Sequence, residues 1–216
     1  CVAVDAFNEN FDATTGVDLA DCWSAVLNGD GIDASSNVQG SDFTFNSPSR
    51  SVELNNGSTS SSDNVILASP NLTNLSAGTH RLKLFATAIQ ITSIQVGTLT
   101  SNTNAAVLTS LQTIEINSNY TEYVIDFTGY TGTDTYIGIR HNSTNAFSSI
   151  NVDDIKWELA PLCGDVLGLS VVGLTTNDAT INWTTSSTGE TAWDLVYGDS
   201  TATDADLLTP ISPAPS

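Results

Sequence analysis

From Arg50 to Leu159 the apolar residues of this chain recur with a period of two, and no stretch carries convincing helical periodicity. In "SRSVELNN" the alternation picks out Val52 and Leu54, and in "HRLKLFATA" it sets Leu82, Leu84 and Ala86 against Arg81, Lys83 and Phe85. "TEYVIDFTGY" places Tyr123, Ile125 and Phe127 together, and "DTYIGIRH" places Ile137 and Ile139 opposite Tyr136 and Arg140. "DNVILASPNL" is a short, continuously apolar run stopped by Pro70. Successive side chains of a strand point to opposite faces, so this cadence specifies strands with one face buried. Clusters of Gly, Asn, Ser and Thr punctuate the runs. Short strands at regular spacing predict an all-β fold, an antiparallel sandwich. The roughly 160 residues before Pro161 are ample for one such core.

One strand breaks the rule. In "SSINVDDIKWEL" the apolar set runs Ile150, Val152, then Ile155, Trp157 and Leu159. The phase slips at Asp153–Asp154, which predicts a β-bulge. Alternation puts Asp154 on the face of Ile150 and Val152, where an ionised carboxylate is costly unless paired or bound to a metal. The alternative leaves Asp153 exposed and gives Asp154 backbone hydrogen bonds.

Charge narrows the function classes. The chain has 216 residues, with 24 Asp and Glu against five Lys and Arg, a net charge of −19. Phosphate backbones are held by clustered cations, so a nucleic-acid partner is not expected. An acidic surface suits divalent-cation capture. No apolar run approaches the length of a membrane span. No Met is present, and the sequence reads as a mature or excised piece of a secreted protein. Three cysteines are an odd number. Cys1 and Cys22 would close a short loop around "FNENFD", worth ~3 kcal/mol on a chain-entropy argument. Cys22–Cys163 is the alternative, and a lipidated Cys1 is a third reading. The scattered Cys and His do not form a zinc pattern. Asp30, Asp33 and Asp42 lie in a Gly-rich acidic stretch without the ordered spacing of an EF-hand loop, and are read as a solvated loop.

A boundary falls at "ELAPLCGD". Residues 1–160 form the first domain. Residues 163–216 follow with a different cadence, "LGLSVVGLTTNDATINWTTSSTGETAWDLVYG", which resembles the first half of a fibronectin type III domain. That immunoglobulin-like sandwich needs ~100 residues, so the second domain is expected to be incomplete, ending in the Pro/Ser-rich "LLTPISPAPS".

The ordered segments "FNENFD", "DCWS", "VILASPNL", "AGTHRLKLFA", "YVIDFTGYTGTDTYIGIRH" and "INVDDIKWE" resemble the cleaved adhesin or choice-of-anchor J domains. These are jelly rolls related to the MAM domain and to many carbohydrate-binding modules. The resemblance implies an antiparallel jelly-roll sandwich. It also implies a secreted or cell-surface setting, of the kind served by type IX secretion, with neighbouring domains in a longer chain. By the same resemblance an N-terminal acid, Glu9, would meet the late acids Asp153 and Asp154 around a structural calcium, whose hard oxygen ligands they would supply. The fold does not name a ligand.

No catalytic constellation is expected. His80 and His141 do not sit near a nucleophile elbow. Asp153 and Asp154 are neighbours pointing apart, which does not make a glycosidase pair. A binding face fits better. Tyr136 and Arg140 project together, with His141 and Asn142 in the loop that follows, and Trp23 is a further aromatic candidate whose alternative is core packing beside a disulfide. Trp157 and Trp183 read as core, and Arg140 has a salt bridge to one of the many acids as its alternative. The Asn-x-Ser/Thr triplets and "GDST" are weak as glycosylation signals in so Asn-, Ser- and Thr-rich a chain. The expected function is a non-catalytic adhesion module binding an extracellular polysaccharide or glycoconjugate. The alternatives are a spacer in a surface stalk, or an accessory domain of a secreted protease or polysaccharide hydrolase.

Overall fold

A computed structural model describes residues 1–58, 63–161, 166–176 and 178–185. The chain divides into two units, Cys1–Ala160 and Pro161–Ser216. In the first, the strands are β1 (Phe7–Glu9), β2 (Ser24–Asn28), β3 (Ser36–Ser41), β4 (Ser51–Asn56), β5 (Asn64–Ala68), β6 (His80–Ala88), β7 (Thr92–Leu99), β8 (Leu108–Ile116), β9 (Thr121–Asp126), β10 (Tyr136–His141) and β11 (Ser149–Leu159). One 3₁₀ turn, Leu75–Ala77, precedes β6. Every named pairing is antiparallel. One sheet runs β3-β4-β11-β6-β9 with β1 also on β11, and the other runs β2-β5-β10-β7-β8. This is the expected sandwich.

The core lies between the sheets. It holds Leu54, Leu82, Leu84, Ile125, Ile150, Val152, Ile155 and Trp157 from one sheet, and Val65, Leu67, Ile94, Val96, Ile137 and Ile139 from the other. Both apolar phases of β11 reach it because a bulge intervenes. Its pairing with β6 shifts register between Asp153 and Lys156, and Asp154 adopts φ +47°. β5 is apolar on both faces for a separate reason. Its second face, Ile66 and Ala68, packs with Val26, Leu99 and Ala106 in a small cluster, flanked by Leu108 and Tyr136, on the outside of the five-stranded sheet. Residues 100–107 close over it, tied down by Asn28 Nδ2 donating to the Asn104 carbonyl at 2.8 Å and Leu27 N–H to Asn104 Oδ1 at 3.0 Å.

Cys1 and Cys22 form a disulfide with Cα atoms 5.6 Å apart, which settles the alternatives for Cys22. Trp23 beside it is buried, meeting Phe7 and Phe11 edge-on at 5.2 and 5.4 Å. In the second unit, β12 (Val166–Val172) and β13 (Thr180–Thr185) make an antiparallel pair with a register shift between Leu167 and Ser170. Cys163 and the segment "WDLVYG" lie outside the described residues.

Candidate functional site

At the bulge, the buried acid is Asp153 rather than Asp154. Asp153 points to the outer face of the six-stranded sheet, yet it is 0% exposed because residues 42–49 fold over it. Its Oδ2 accepts the N–H groups of Asn46 at 2.7 Å and Ser47 at 3.1 Å, and its Oδ1 accepts that of Asp154 at 2.7 Å. Asp154, turned by its positive φ, accepts from Asn46 Nδ2 at 2.8 Å and Ser47 Oγ at 2.9 Å. Burial pushes the Asp153 carboxyl up to about 6, with the neighbouring Asp154 charge adding and the three amides opposing. Glu9 stands opposite Ile155 in the β1–β11 register, one residue past Asp154, and its Oε1 accepts the Phe11 N–H at 2.7 Å. Asp12, which sequence reasoning missed, ties down the end of the same segment. Its Oδ1 accepts the N–H groups of Ser49 and, at 2.9 Å, Arg50. The Arg50 guanidinium turns away to Thr14 and the Gly16 carbonyl.

The donors around the bulge are therefore oxygen atoms, the chemistry calcium prefers. In the arrangement described, they hold amide and hydroxyl protons. Among the described residues no three His, Cys, Asp or Glu side chains converge in a group that would hold a metal. The ion pairs of the six-stranded sheet lie further along it, Arg81 with Glu158 at 2.8 Å and Lys83 with Glu122 at 2.6 Å.

Of the residues expected on a binding face, two reach one. Arg140 and Tyr136 lie on the outer face of the five-stranded sheet, opposite the core residues Ile137 and Ile139. They are not one platform. Leu99 and Leu108 pack over Gly138 between them, so closely that a Cβ there would meet Leu108 Cδ1 at 2.8 Å. Tyr136 lies against the apolar cluster, its hydroxyl accepting from Asn71 Nδ2 at 3.2 Å. Arg140 is at the open, polar end. Its guanidinium donates to Asn64 Oδ1 at 3.0 Å, to Gln95 Oε1 and, at 3.5 Å, to Asn142 Oδ1. Burial lowers its pKa, and among the described residues its Nε has no partner. Its partners are neutral amides, not the acid that sequence reasoning offered as an alternative. His141 is 2% exposed and points inward, accepting the Ser143 N–H at 3.2 Å; burial lowers its pKa to about 4. His141 and Trp23 thus serve as buried supports and offer no face to solvent, which corrects the expectation that they contact a ligand.

A second surface was not anticipated. On the outer face of the six-stranded sheet, Gln39, Glu53, Asn151 and Thr87 form a row across four strands, in register through Gln39–Glu53, Glu53–Asn151 and Asn151–Thr87. They floor a groove of about 780 Å³ that Phe43 and Ile89 also line. Each is simply the polar member of an alternating strand, and only the register unites them.

No family model matches the chain, and no curated protein does. Solved structures do. The K1 cleaved adhesin domain of Lys-gingipain from Porphyromonas gingivalis W83 superposes with a TM-score of 0.55 at 14% identity, over 73% of this chain and 100% of that one. The C-terminal family 22 carbohydrate-binding module of Clostridium thermocellum Xyn10B gives 0.50 at 14% identity, over 71% and 93%. A xylan-binding domain from family 22 gives 0.50 at 14%, over 71% and 94%. The Cys1–Ala160 unit shares the jelly-roll fold of the cleaved adhesin domains and of the family 22 carbohydrate-binding modules.

Proposed function

We propose that the first unit is a non-catalytic carbohydrate-binding module of an extracellular adhesion protein, holding a polysaccharide or glycoconjugate on the outer face of the five-stranded sheet around Arg140. The observation that carries this reading is the Arg140 surround. In a chain with 24 acids, this guanidinium is framed by three neutral amide side chains and, among the described residues, pairs with no carboxylate. Amide and guanidinium groups supply donors and acceptors in fixed planes, the equipment needed for sugar hydroxyls. Two of the neighbours in fold are named for carbohydrate or xylan binding, and a third is an adhesin domain. The second unit is read as the start of a fibronectin type III domain in a longer secreted chain, of the kind exported by type IX secretion.

We also propose a structural calcium at the bulge, which would draw Glu9, Asp153 and Asp154 together from the positions described to supply carboxylate oxygens. The buried negative charge supports it: Asp153 is pushed up to about 6, and among the described residues no cationic side chain pairs with it. The ion would tie β1 to β11.

A glycan array probed with the wild-type chain and with Arg140→Ala tests the main reading. Binding that Arg140→Ala abolishes supports it. Equal binding by both removes Arg140 from the site, and silence across the array favours the spacer alternative.

A further inference from the structure

We infer that the groove over the six-stranded sheet is a second saccharide site, which takes a neutral polysaccharide chain lying across the strands. It goes beyond the Arg140 reading and uses none of its residues.

The floor is built for hydroxyl groups. Glu53 presents a carboxylate, an acceptor only. Gln39 and Asn151 present amides, each donor and acceptor, and Thr87 a hydroxyl. Register spaces the four at successive strands, so the row spans about 14 Å at ~4.8 Å per strand. That length suits roughly three linked monosaccharides. The floor residues are held but not exhausted. Gln39 Nε2 donates to Glu53 Oε2 at a long 3.4 Å, and Asn151 Nδ2 to Ser51 Oγ at 3.2 Å. Two apolar side chains stand on the walls. Phe43 is 95% exposed and Ile89 is 90% exposed, facing water at the groove in which Glu53 and Asn151 form the floor. An aromatic face beside planar hydrogen-bonding groups is the pairing that a sugar ring satisfies, with its C–H surface on one and its hydroxyls on the other.

Charge selects the ligand class. Glu53 and Asp42 line the groove, and among the described residues no Lys or Arg does. An anionic glycan would bring like charge to Glu53, whereas a neutral one offers hydroxyl donors to it. The backbone that carries Phe43 is also held in place. Thr44 O accepts from Ser51 Oγ at 2.6 Å and from the Tyr120 hydroxyl at 3.1 Å, and Asp153 fixes the following turn. A backbone already fixed reduces the ordering cost of binding.

The test is a ¹H–¹⁵N NMR titration of the full chain with xylohexaose, cellohexaose and mannohexaose in turn, following the side-chain amide signals. The expected result is that at least one hexaose shifts Gln39 and Asn151. Phe43→Ala and Asn151→Ala would each weaken that binding about tenfold or more, and Arg140→Ala would leave it in place. Phe43 is exposed, so its variant keeps the fold even if Asn151→Ala does not. Shifts confined to Asn64, Gln95 and Asn142, lost in Arg140→Ala, would overturn the groove and leave the Arg140 site standing. Silence with all three hexaoses would also overturn the groove, while the glycan array, which includes charged glycans, decides the Arg140 site separately.

Discussion

Asp153 accepts the backbone N–H of Asn46 at 2.7 Å across 107 residues of sequence. That contact, with the one from Ser47, folds residues 42–49 over the outer face of β11 and holds Phe43 beside the groove. The bulge that spoils the apolar phase of β11 is therefore the anchor for a wall on the sheet's far side.

Replacing the anchor has a pH signature. The Asp153 carboxyl rises from 3.8 to about 6 on folding, so the folded state binds its proton more tightly. The carboxyl's contribution is greatest below pH 3.8 and is lost as pH rises through 6. Between pH 7.5 and 4.5 the wild type gains about 2 kcal/mol from this group. Asp153→Ala lacks that gain, so its destabilisation is expected to be larger at pH 4.5 than at pH 7.5 by about that amount. Urea unfolding of both proteins in EGTA at the two pH values measures it. An equal loss at both would show that Asp153 titrates normally.

His141 slopes the other way. Burial lowers its pKa from 6.5 to about 4, so the folded state keeps it neutral while the unfolded chain takes up a proton. Its contribution is present above pH 6.5 and declines as pH falls toward 4, by roughly 2 to 3 kcal/mol between pH 7.5 and 4.5. His141→Leu would remove this loss. The two groups oppose each other, so this pair leaves the wild type nearly flat over that range. His141→Leu is expected to gain stability on acidification and Asp153→Ala to lose it. Slopes of the same sign in the two variants would contradict the assignment.

The disulfide closes a loop of 21 residues, and reducing it is expected to cost about 3 kcal/mol. Trp23 packs against Phe7 and Phe11 next to Cys22, so its fluorescence reports loosening of the amino-terminal segment. Comparing unfolding midpoints of the wild type and Cys22→Ser gives the size of the effect. A change under about 1 kcal/mol would mean the segment is held by its aromatic packing alone.

These expectations divide between what adjacent residues reveal and what distant ones impose. The phase slip from Val152 to Ile155 was legible because strand alternation is local. Which aspartate is buried was not, because alternation sends Asp153 outward and only the distant segment 42–49 hides it. Arg140 and Tyr136 were rightly placed on one face. Their separation depends on Leu99 and Leu108 meeting over Gly138, a contact between strands. The row Gln39–Glu53–Asn151–Thr87 was invisible for the same reason. Strand order and register assemble it, and neither is written in any one segment.

Calcium would invert the first of these pH slopes, which makes the proposed ion testable without seeing it. A divalent charge beside Asp153 favours the ionised carboxylate and draws its pKa downward, against the burial that now raises it to about 6. In EGTA the wild type is expected to gain from Asp153 on acidification. In millimolar calcium it should instead lose stability as the carboxylates protonate and the ion leaves. Calcium should also raise the melting temperature at pH 7.5, since ligand bound only to the folded state adds RT ln(1 + [L]/Kd), about 2.7 kcal/mol at a hundredfold excess over Kd. Glu9→Gln keeps an oxygen in place but removes a charge, and should shrink that increment while leaving stability in EGTA almost unchanged. Scanning calorimetry of both proteins with EGTA, calcium and magnesium, each at pH 5 and 7.5, supplies all the comparisons. If calcium neither raises the melting temperature nor adds a loss of stability on acidification, the amides of Asn46, Ser47 and Asp154 are the whole answer to the charge on Asp153, and the proposed ion is excluded.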